Sequence, residues 1–455
     1  MRTVVVGGGI SGLTAAYELG RAGIDCTLLE AQERTGGVLK TDRIENCVVE
    51  CGADSFLASK PWAMELIREL GLESEVIDAN EARRRTLLAH HGRLTPLPEG
   101  LRMMVPTRLL PVWRSALFSF PTKLRMSLEV LRRPVTQPDR SVASFVRDHF
   151  GQQAVDLLAA PLLAGVYGGT PDLLGAESVL PKFVDLERRY GSIIRGVRRE
   201  STVSEGPLFR SLRGGMGQLT EALASRVHVV HATVEAVEGT RVRAAGDWFE
   251  ADQVILACGA PAAAALLTGT EAGAMLGRIR HSSATIVAMG FPRASVRHPM
   301  DAFGFLVPPA ERRHLMACTW VTSKFPNRAP EGIALLRGFL EGSSTESDAE
   351  LLQMCLDDLQ RLMGLEAQPL FHRIYRWPNS LAQYGVGHGQ QVAAIRKSLA
   401  GVKVIGNAFD GVGIPDCIKL ARQTAAEIRA REIPSGAGIQ PAAGPPRDRP
   451  SPSGT

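Results

Sequence analysis

The chain has 455 residues but no run of about 18 uninterrupted apolar residues, the length that a membrane-spanning helix needs. Near the N-terminus only the short run Val4–Val6 is apolar, and a glycine follows it directly, so we expect no signal peptide. These absences favour a cytoplasmic protein. They leave a peripheral contact with the inner face of the cell membrane open, because such a contact needs no spanning helix.

Cysteine is sparse, and neither sign of charge is in large excess. The seven cysteines, an odd number mostly far apart in sequence, favour reduced thiols over a disulfide framework. Cys47 and Cys51 could form a redox pair, but no second pair accompanies them, and buried thiols are the favoured interpretation.

The net charge of +5 is small for this length and argues against a nucleic-acid partner. His90 and His91 would point to opposite faces of a strand, so we expect no metal site.

Apolar periodicity and turn residues divide the chain into segments. Helices are predicted at 61–80, 141–165, 215–226 and 346–363, strands at Val227–Val237 and Trp248–Cys258, and several antiparallel strands within 284–340. Strand, glycine turn and helix follow one another twice, at 1–36 and at 402–431. Residues 433–455 are rich in Pro, Gly and Ser and poor in large apolar residues, which predicts a disordered tail.

The first glycine turn matches the dinucleotide-binding fingerprint, in which three glycines have separate tasks. Gly7 permits the tight turn, Gly9 lets the backbone approach a pyrophosphate, and Gly12 lets helix and strand pack closely. The following helix offers free N–H groups and the positive end of its dipole. The carboxylate of Glu30, at the end of the next strand, can accept hydrogen bonds from ribose hydroxyls. The dinucleotide-binding residues predicted here are Gly7, Gly9, Ile10, Ser11, Gly12 and Glu30.

Two further glycine-rich segments indicate which dinucleotide binds. Arg34, Gly36 and Gly37 form an Arg-x-Gly-Gly element that resembles the extended FAD motif of the amine-oxidase and phytoene-desaturase class. Residues 406–413 lie between a strand and a helix, so their backbone N–H groups can face the flavin or the pyrophosphate. No second GxGxxG follows a strand, which argues against NADPH. We therefore expect FAD, with electrons passing to oxygen or to another non-nicotinamide acceptor.

From residue 2 to about residue 430 the sequence resembles the protoporphyrinogen and coproporphyrinogen oxidases of heme biosynthesis. The resemblance rests on segments spread along the chain: Val49–Phe56, Gly165–Gly169, Gly304–Pro308, Arg376–Trp377 with Gln383–Tyr384 and Gly387–His388, and Gly406–Gly413 with Asp416–Ile418. Three residues depart from the family pattern. Ala53 and Ala382 stand where proline is usual, and Gly168 stands where alanine is usual. These changes shape the backbone and remove no chemical group.

The resemblance implies an α/β fold with a Rossmann-like, amine-oxidase-like FAD-binding domain, a mixed-sheet substrate-binding domain and a helical domain. We assign 1–80, 205–265 and 390–432 to the first, 81–99 and 266–389 to the second, and 100–204 to the third. The resemblance also implies a six-electron oxidation of a porphyrinogen to a porphyrin. Hydride would pass to the flavin in each of three cycles, and O2 would reoxidise it with release of hydrogen peroxide.

The resemblance further assigns substrate contacts. The family's carboxylate-binding residue falls at Arg85, or at Arg84 or Thr86 if the register differs by one, with a solvated surface charge as the alternative. Phe303 and Leu306 on one strand and Phe339 on a neighbouring strand would contact the macrocycle, with ordinary core packing as an equal alternative. The backbone of Gly165 would lie against the macrocycle, since glycine permits close approach. Further FAD contacts are assigned to Val38, Val234, Trp377, Gly406, Asn407, Val412, Gly413 and Ile414.

Substrate identity and partners stay open from sequence. The basic residues around Arg83–Arg85 lean toward coproporphyrinogen III, which carries two more carboxylates than protoporphyrinogen IX. Residues 101–135 mix apolar, aromatic and basic residues with one acid, which indicates either a membrane-facing surface or a helical cap with a solvated basic face. A homodimer and transfer of the product to ferrochelatase are also open. The rival functions are another FAD amine oxidase or desaturase, and a non-catalytic flavin-binding scaffold.

Overall fold

The computed structural model describes residues 1–200, 206–342 and 345–432. The strands are β1 (Arg2–Val6), β2 (Asp25–Glu30), β3 (Thr41–Ile44), β4 (Cys47–Glu50), β5 (Phe56–Leu57), β6 (Val76–Asp78), β7 (Leu87–His90), β8 (Arg93–Pro96), β9 (Leu101–Arg102), β10 (Val105–Pro106), β11 (Phe209–Leu212), β12 (Val229–His231), β13 (Val234–Glu238), β14 (Arg241–Ala244), β15 (Asp247–Glu250), β16 (Gln253–Leu256), β17 (His281–Pro292), β18 (Gly304–Leu306), β19 (Leu315–Trp320), β20 (Ile333–Glu341), β21 (Phe371–Ala382) and β22 (Val402–Val404).

The helices include the two that follow the glycine turns. They are α1 (Ile10–Arg21), α2 (Trp62–Glu69), α3 (Leu109–Arg114), α4 (Phe120–Leu128), α5 (Val142–Phe150), α6 (Gln152–Ala154), α7 (Ala160–Tyr167), α8 (Ala176–Val179), α9 (Pro181–Tyr190), α10 (Ile193–Glu200), α11 (Gly217–Ala224), α12 (Ala260–Leu266), α13 (Glu271–Leu276), α14 (Val321–Lys324), α15 (Asp348–Met363), α16 (His388–Ser398) and α17 (Ile414–Glu432). Among the helices that the structure describes, none is both long and apolar enough to cross a membrane.

A five-stranded parallel sheet with the order β12-β2-β1-β16-β22 carries the two glycine turns. β1 lies at its centre and pairs in parallel with β2 and with β16. Val4 and Val5 are fully buried, as expected of a parallel strand that is covered on both faces. α1 and α17 pack against each other. Because the strands are parallel, both turns lie at the carboxyl end of the same sheet, where such folds bind ligands.

A seven-stranded sheet has the order β21-β17-β20-β19-β18-β7-β8. The pairing of β18 with β7 is parallel and the other pairs are antiparallel, so the sheet is mixed. α15 covers one face, where Leu351, Cys355 and Leu359 share an apolar cluster with Phe305 and Trp320. Strands from residues 87–96 therefore share one sheet with strands from residues 281–382.

The helical segment between β10 and β11 contains a buried polar network centred on His149. The imidazole lies between two carboxylates, with Nδ1 2.9 Å from Glu129 Oε1 and Nε2 3.0 Å from Glu187 Oε1. Glu129 also accepts a 2.7 Å hydrogen bond from the N–H of Ile193 at the start of α10. Burial alone would raise the pKa of Glu187, but hydrogen bonds from His149 and Arg140 lower it to about 2. These polar contacts join α5, α9 and α10.

Several local predictions need correction. The helix predicted over 61–80 is confined to α2, because Gly71 follows it at φ 76° and β6 begins soon afterwards. Val227–Val237 and Trp248–Cys258 each cover two short strands rather than one.

The histidine pair also differs from its prediction. His91 lies in a turn with φ 51°, and its ring contacts that of His90 edge-on at 4.1 Å, so the two side chains do not point to opposite faces of a strand. All seven cysteines are free. The predicted tail at 433–455 lies outside the described residues.

Candidate active site

Of the three fingerprint glycines in the turn between β1 and α1, two are required by the protein's own backbone, and the third borders open space. Gly7 has φ 106°, a conformation that favours glycine. A Cβ on Gly12 would lie 1.9 Å from the carbonyl oxygen of Gly7, so the helix and the turn are in direct contact. A Cβ on Gly9 would meet no protein atom within 4 Å, and no side chain caps α1 at this position. The turn leaves open space at a helix N-terminus, as a pyrophosphate requires.

Glu30, at the end of β2, holds this turn from the side. Its Oε2 accepts a 2.6 Å hydrogen bond from the N–H of Gly8, and its Oε1 accepts a 2.9 Å bond from the N–H of Gln32. Each carboxylate oxygen has a further lone pair that can accept a bond from a ribose hydroxyl. Glu30 thus has a second task that its position in the sequence did not indicate.

The Arg-x-Gly-Gly loop closes over the same turn. The N–H of Gly36 donates to the carbonyl of Gly8 at 2.7 Å, and Gly36 forms a parallel β-bridge with Gly9. Arg34 braces the loop from within, since its Nη2 donates to the carbonyl of Gly37 at 2.5 Å. Val38, the next residue, keeps an exposed side chain. The geometry of this loop is therefore fixed by hydrogen bonds to its backbone, next to the open space at Gly9.

The C-terminal glycine turn reaches the same end of the parallel sheet. Gly406 and Gly411 have φ values of 134° and 136°, in the region that favours glycine. Lys60 Nζ lies 2.6 Å from Asp416 in the first turn of α17, which fixes the helix that begins at Ile414. Asn407, Val412 and Gly413 lie on this turn, in the segment between β22 and α17.

Two other predicted FAD residues lie on elements that join this site. Val234 begins β13, just after the N–H of Ala232 donates to the carbonyl of Glu30 at 2.9 Å. Trp377 on β21 donates from Nε1 to the carbonyl of Cys51 at 2.6 Å, which connects the seven-stranded sheet to the segment that follows β4. An open helix N-terminus, a ribose-side carboxylate and a second glycine turn together fit a bound FAD.

Comparison with known proteins agrees with this site. The family model described as flavin containing amine oxidoreductase matches residues 10–429, most of the chain. The chain belongs to this family. Coproporphyrinogen III oxidase from Bacillus subtilis (strain 168) is 32% identical to this oxidoreductase over 449 residues, covering 91% of this chain and 95% of that protein. Coproporphyrinogen III oxidase from Propionibacterium freudenreichii subsp. freudenreichii is 34% identical, covering 93% and 90% of the two chains.

A solved structure gives the same result for the fold. The crystal structure of a protein from Exiguobacterium sp. 255-15, provisionally named protoporphyrinogen oxidase, has 30% identity and a TM-score of 0.86, and the match covers 94% of this chain and 99% of that one. The predicted α/β, amine-oxidase-like fold, the FAD cofactor and the resemblance to the porphyrinogen oxidases are confirmed.

Leu306 and Phe339 of this oxidoreductase lie in one transverse row of the seven-stranded sheet. Ala317 on β19 pairs with Leu306 on one side and with Phe339 on the other, so the three side chains share a face. The row continues through Ile286 to Tyr375, whose hydroxyl donates to Asp42 on β3 at 2.9 Å. This face is therefore turned toward the β3–β4 hairpin. Phe339 was predicted on a strand next to that of Leu306, but β19 separates the two strands.

Phe303 does not belong to this row. It precedes β18 rather than lying on it, and its side chain packs against a separate apolar cluster of Ile77, Ala79 and Phe325. Its backbone N–H donates to the carbonyl of Arg85 at 2.9 Å. The structure thus places Phe303 beside Arg85 at the border of the sheet, apart from Leu306 and Phe339.

The three consecutive arginines have different contacts, which bears on the register of the predicted carboxylate-binding residue. Arg83 lies 3.3 Å from the hydroxyl of Ser323, and Arg84 lies 3.0 Å from the carboxylate of Glu81. The side chain of Arg85 is 63% exposed, and its ion pair with Asp301 has a distance of 4.0 Å. Arg85 has the least engaged guanidinium of the three. Arg85 lies just before β7, which begins at Leu87.

Gly165 lies within α7 and is exposed, and a Cβ built on it would meet no atom within 4 Å. α7 packs against β19 and β21, so this glycine lies on a helix that contacts the seven-stranded sheet. Gly168 ends α7 with φ 60°, a left-handed helix cap that favours glycine. The helix end therefore explains why glycine replaces the family's usual alanine at this position.

The sequence did not indicate a charge cluster in the segment that follows β4. Asp54 has both carboxylate oxygens 3.0 Å from Lys324 Nζ, and it lies 3.5 Å from Arg337 Nη1. Arg337 also donates to the carbonyl of Gly52. Burial alone would raise the pKa of Asp54, but Lys324 and Arg337 hold it well below its usual range. Because the two cations lie far along the chain, no local pattern could have indicated this cluster.

Proposed function

We propose that this protein oxidises coproporphyrinogen III to coproporphyrin III. The observation that carries the proposal is the match over 91% and 93% of the chain to two proteins named coproporphyrinogen III oxidase. The FAD site supports it, and so does the position of the exposed Arg85 at the border of a sheet with an apolar face. The substrate is an apolar macrocycle with carboxylates at its rim, and protoporphyrinogen IX, with fewer carboxylates, is the alternative substrate.

The reaction removes six hydrogen atoms from the porphyrinogen, and three molecules of O2 take up these electrons and protons as three molecules of H2O2. Bound FAD supplies the hydride acceptor. We infer that the chain binds and orients the macrocycle. Leu306 and Phe339 contact the apolar face of the macrocycle, and Phe303 contacts its edge at the border of the seven-stranded sheet. The backbone of Gly165 permits close approach. Arg85 binds a rim carboxylate through its planar guanidinium.

Parallel oxygen-uptake assays test this function. The purified holoprotein is given coproporphyrinogen III or protoporphyrinogen IX, and porphyrin fluorescence is followed together with O2 consumption. We expect kcat/KM for coproporphyrinogen III to be higher by about tenfold, the effect of roughly one additional charge-assisted contact. The opposite preference would favour the alternative substrate, and no turnover of either substrate by flavin-loaded protein would contradict the proposal.

Replacement of Arg85 by alanine is expected to raise KM for coproporphyrinogen III by about tenfold, because one charge-assisted hydrogen bond to a carboxylate is lost. The FAD content is expected to stay unchanged, since Arg85 lies outside the two glycine turns. Steady-state kinetics and visible flavin absorbance measure both quantities. Arg84→Ala is the matched control, because Arg84 is already paired with Glu81. An unchanged KM in Arg85→Ala, or a raised KM in Arg84→Ala alone, would remove this role from Arg85.

We also propose that α3 and α4 form a surface that contacts anionic membranes. Seven of the thirteen exposed large apolar side chains in the described part of the chain lie between residues 103 and 131. Phe120, Leu124 and Leu128 form one stripe along α4. The single acid in residues 101–135, Glu129, is buried against His149, so the charges that this surface exposes are basic. Exposed apolar residues between basic ones suit an anionic lipid surface.

Flotation with anionic vesicles tests this surface. Phe120→Ser combined with Leu128→Ser is expected to lower the bound fraction, with an apparent affinity weaker by at least about tenfold, because two apolar side chains no longer insert. Raised salt is expected to weaken binding of the wild type. Trp248→Ser, at an exposed tryptophan outside this surface, is the control. Equal flotation of the double variant and the wild type would favour a solvated helical cap instead.

We make three additional proposals about this protein. They are the division into three domains with the bounds given above, a homodimer, and direct transfer of the porphyrin product to a ferrochelatase. The domain bounds are tested by limited proteolysis, and the homodimer by light scattering of the purified protein. Direct transfer is tested by a coupled assay with and without a trap for free porphyrin.

A further inference from the structure

The side chain of Tyr384 bridges the C-terminal glycine turn. The Tyr384 hydroxyl donates to the carbonyl of Asn407 at 2.8 Å and accepts a 2.9 Å bond from the N–H of Gly411. One oxygen therefore bridges the two ends of the segment 407–411. Gly406 precedes this segment and Gly411 ends it, and both have high backbone freedom. A hydrogen-bonded bridge between Asn407 and Gly411 therefore restricts the conformation of the turn directly.

Tyr384 is itself firmly placed. Its side chain is buried, and its ring stacks on that of His388 at a centroid distance of 4.0 Å and an interplanar angle of 10°. The ring of Tyr167, at the end of α7, meets it edge-on at 5.7 Å. Burial raises the pKa of the Tyr384 hydroxyl, so it keeps the proton that it donates to Asn407.

The backbone around Tyr384 contacts the helical segment. The N–H of Gly175 donates to the carbonyl of Tyr384 at 2.7 Å. The amide of Gln383 lies 3.3 Å from the carbonyl of Gly168, at the end of α7. The N–H of Gly387 donates to the carboxylate of Asp139 at 2.8 Å. The loop that carries Tyr384 thus connects α7 and α8 to the turn before α17.

We propose that Tyr384 is a positioning residue for FAD: its hydroxyl fixes the spacing of Asn407 and Gly411 so that the turn presents its backbone N–H groups to the cofactor. The role acts through the backbone of the turn and needs no contact between Tyr384 and FAD. It rests on the FAD site alone and is independent of which substrate is oxidised. A phenylalanine at this position keeps the stacked ring and loses both hydrogen bonds.

Thermal release of FAD from the holoprotein, followed by flavin fluorescence, separates this role from a general effect on stability. In Tyr384→Phe we expect flavin release at a lower temperature than unfolding followed by circular dichroism, and a Kd for FAD raised by about tenfold, since two hydrogen bonds are lost. Tyr190→Phe removes a tyrosine hydroxyl that contacts Arg189 in the helical segment, and it is expected to match the wild type.

Two outcomes of this experiment contradict the proposal, and a third is resolved by titration. If release and unfolding shift together, Tyr384 supports the fold and not the turn in particular. If neither shifts, the two hydrogen bonds do not matter for FAD. If Tyr384→Phe is recovered without flavin, the apoprotein is titrated with FAD: native circular dichroism with a Kd at least tenfold above that of wild type supports the role, and a non-native spectrum overturns it.

Discussion

Gly9→Val is expected to give a folded protein that contains no flavin. Gly9 has φ −72° and ψ 178°, which valine adopts without strain. A Cβ at this position would meet no protein atom within 4 Å. The added methyl groups would instead occupy the space in front of the α1 N-terminus where the pyrophosphate must approach the backbone. The flavin-to-protein ratio should fall at least about tenfold, because the clash is with the cofactor itself.

Visible flavin absorbance per protein and far-UV circular dichroism measure the two halves of this prediction. Gly20→Val is the matched control, since a Cβ there also meets no atom within 4 Å and Gly20 lies in the same helix, away from the turn. Gly12→Val gives the opposite contrast: its Cβ would lie 1.9 Å from the Gly7 carbonyl oxygen, so loss of the fold is expected. Stoichiometric flavin in purified Gly9→Val would contradict the assignment of the fingerprint.

Asp54→Ala is expected to destabilise the protein by about 3–5 kcal/mol, because it leaves two buried cations without their shared carboxylate. Lys324 and Arg337 are 8% and 2% exposed, so water cannot replace Asp54 at either group. Denaturant unfolding of the holoprotein measures the change in the free energy of unfolding. Glu238→Ala is the control: its ion pair with Arg241 is exposed on both sides, and the expected change is within about 0.5 kcal/mol.

The pH dependence of this difference has a defined sign. The pKa of Asp54 is lowered in the folded protein, so its contribution is complete above the unfolded value of about 4 and is lost as the pH falls below it. The stability gap between wild type and Asp54→Ala should therefore narrow from about pH 5 downward. A gap that stays constant or widens on acidification would show that the ion pairs do not account for the effect.

The two glycine turns were largely predictable from sequence because their signals are local. The glycines at 7, 9 and 12 act within one turn, and Glu30 follows at a fixed distance set by one helix and one strand. The C-terminal turn could be found for the same reason, since Gly406 and Gly411 are needed for its backbone conformation. Even here the sequence did not indicate that Glu30 also binds the N–H of Gly8, because that bond depends on the exact strand end.

The arrangement of the proposed substrate residues was less predictable because it depends on strand order. Leu306 and Phe339 were expected on adjacent strands, and only the register shows that Ala317 lies between them. The spacing in sequence could not show that Phe303 and Leu306 belong to different clusters. The backbone turns at Gly304, where φ is 143°, and so Phe303 does not continue the side-chain alternation of β18. The Asp54 cluster and the bridge made by Tyr384 join residues distant in sequence, and no single-sequence pattern specifies such pairs.

The two halves of the flavin site have a consequence for how the protein is made. Residues 7–12 are synthesised well before residues 406–413. At ordinary translation rates the interval is of the order of tens of seconds. Until the end of this interval β16 lacks its neighbour β22 and α1 lacks α17, so the nascent chain has an unfinished central sheet and half of a cofactor site. A complete flavin site therefore exists only after residues 406–413 have been synthesised.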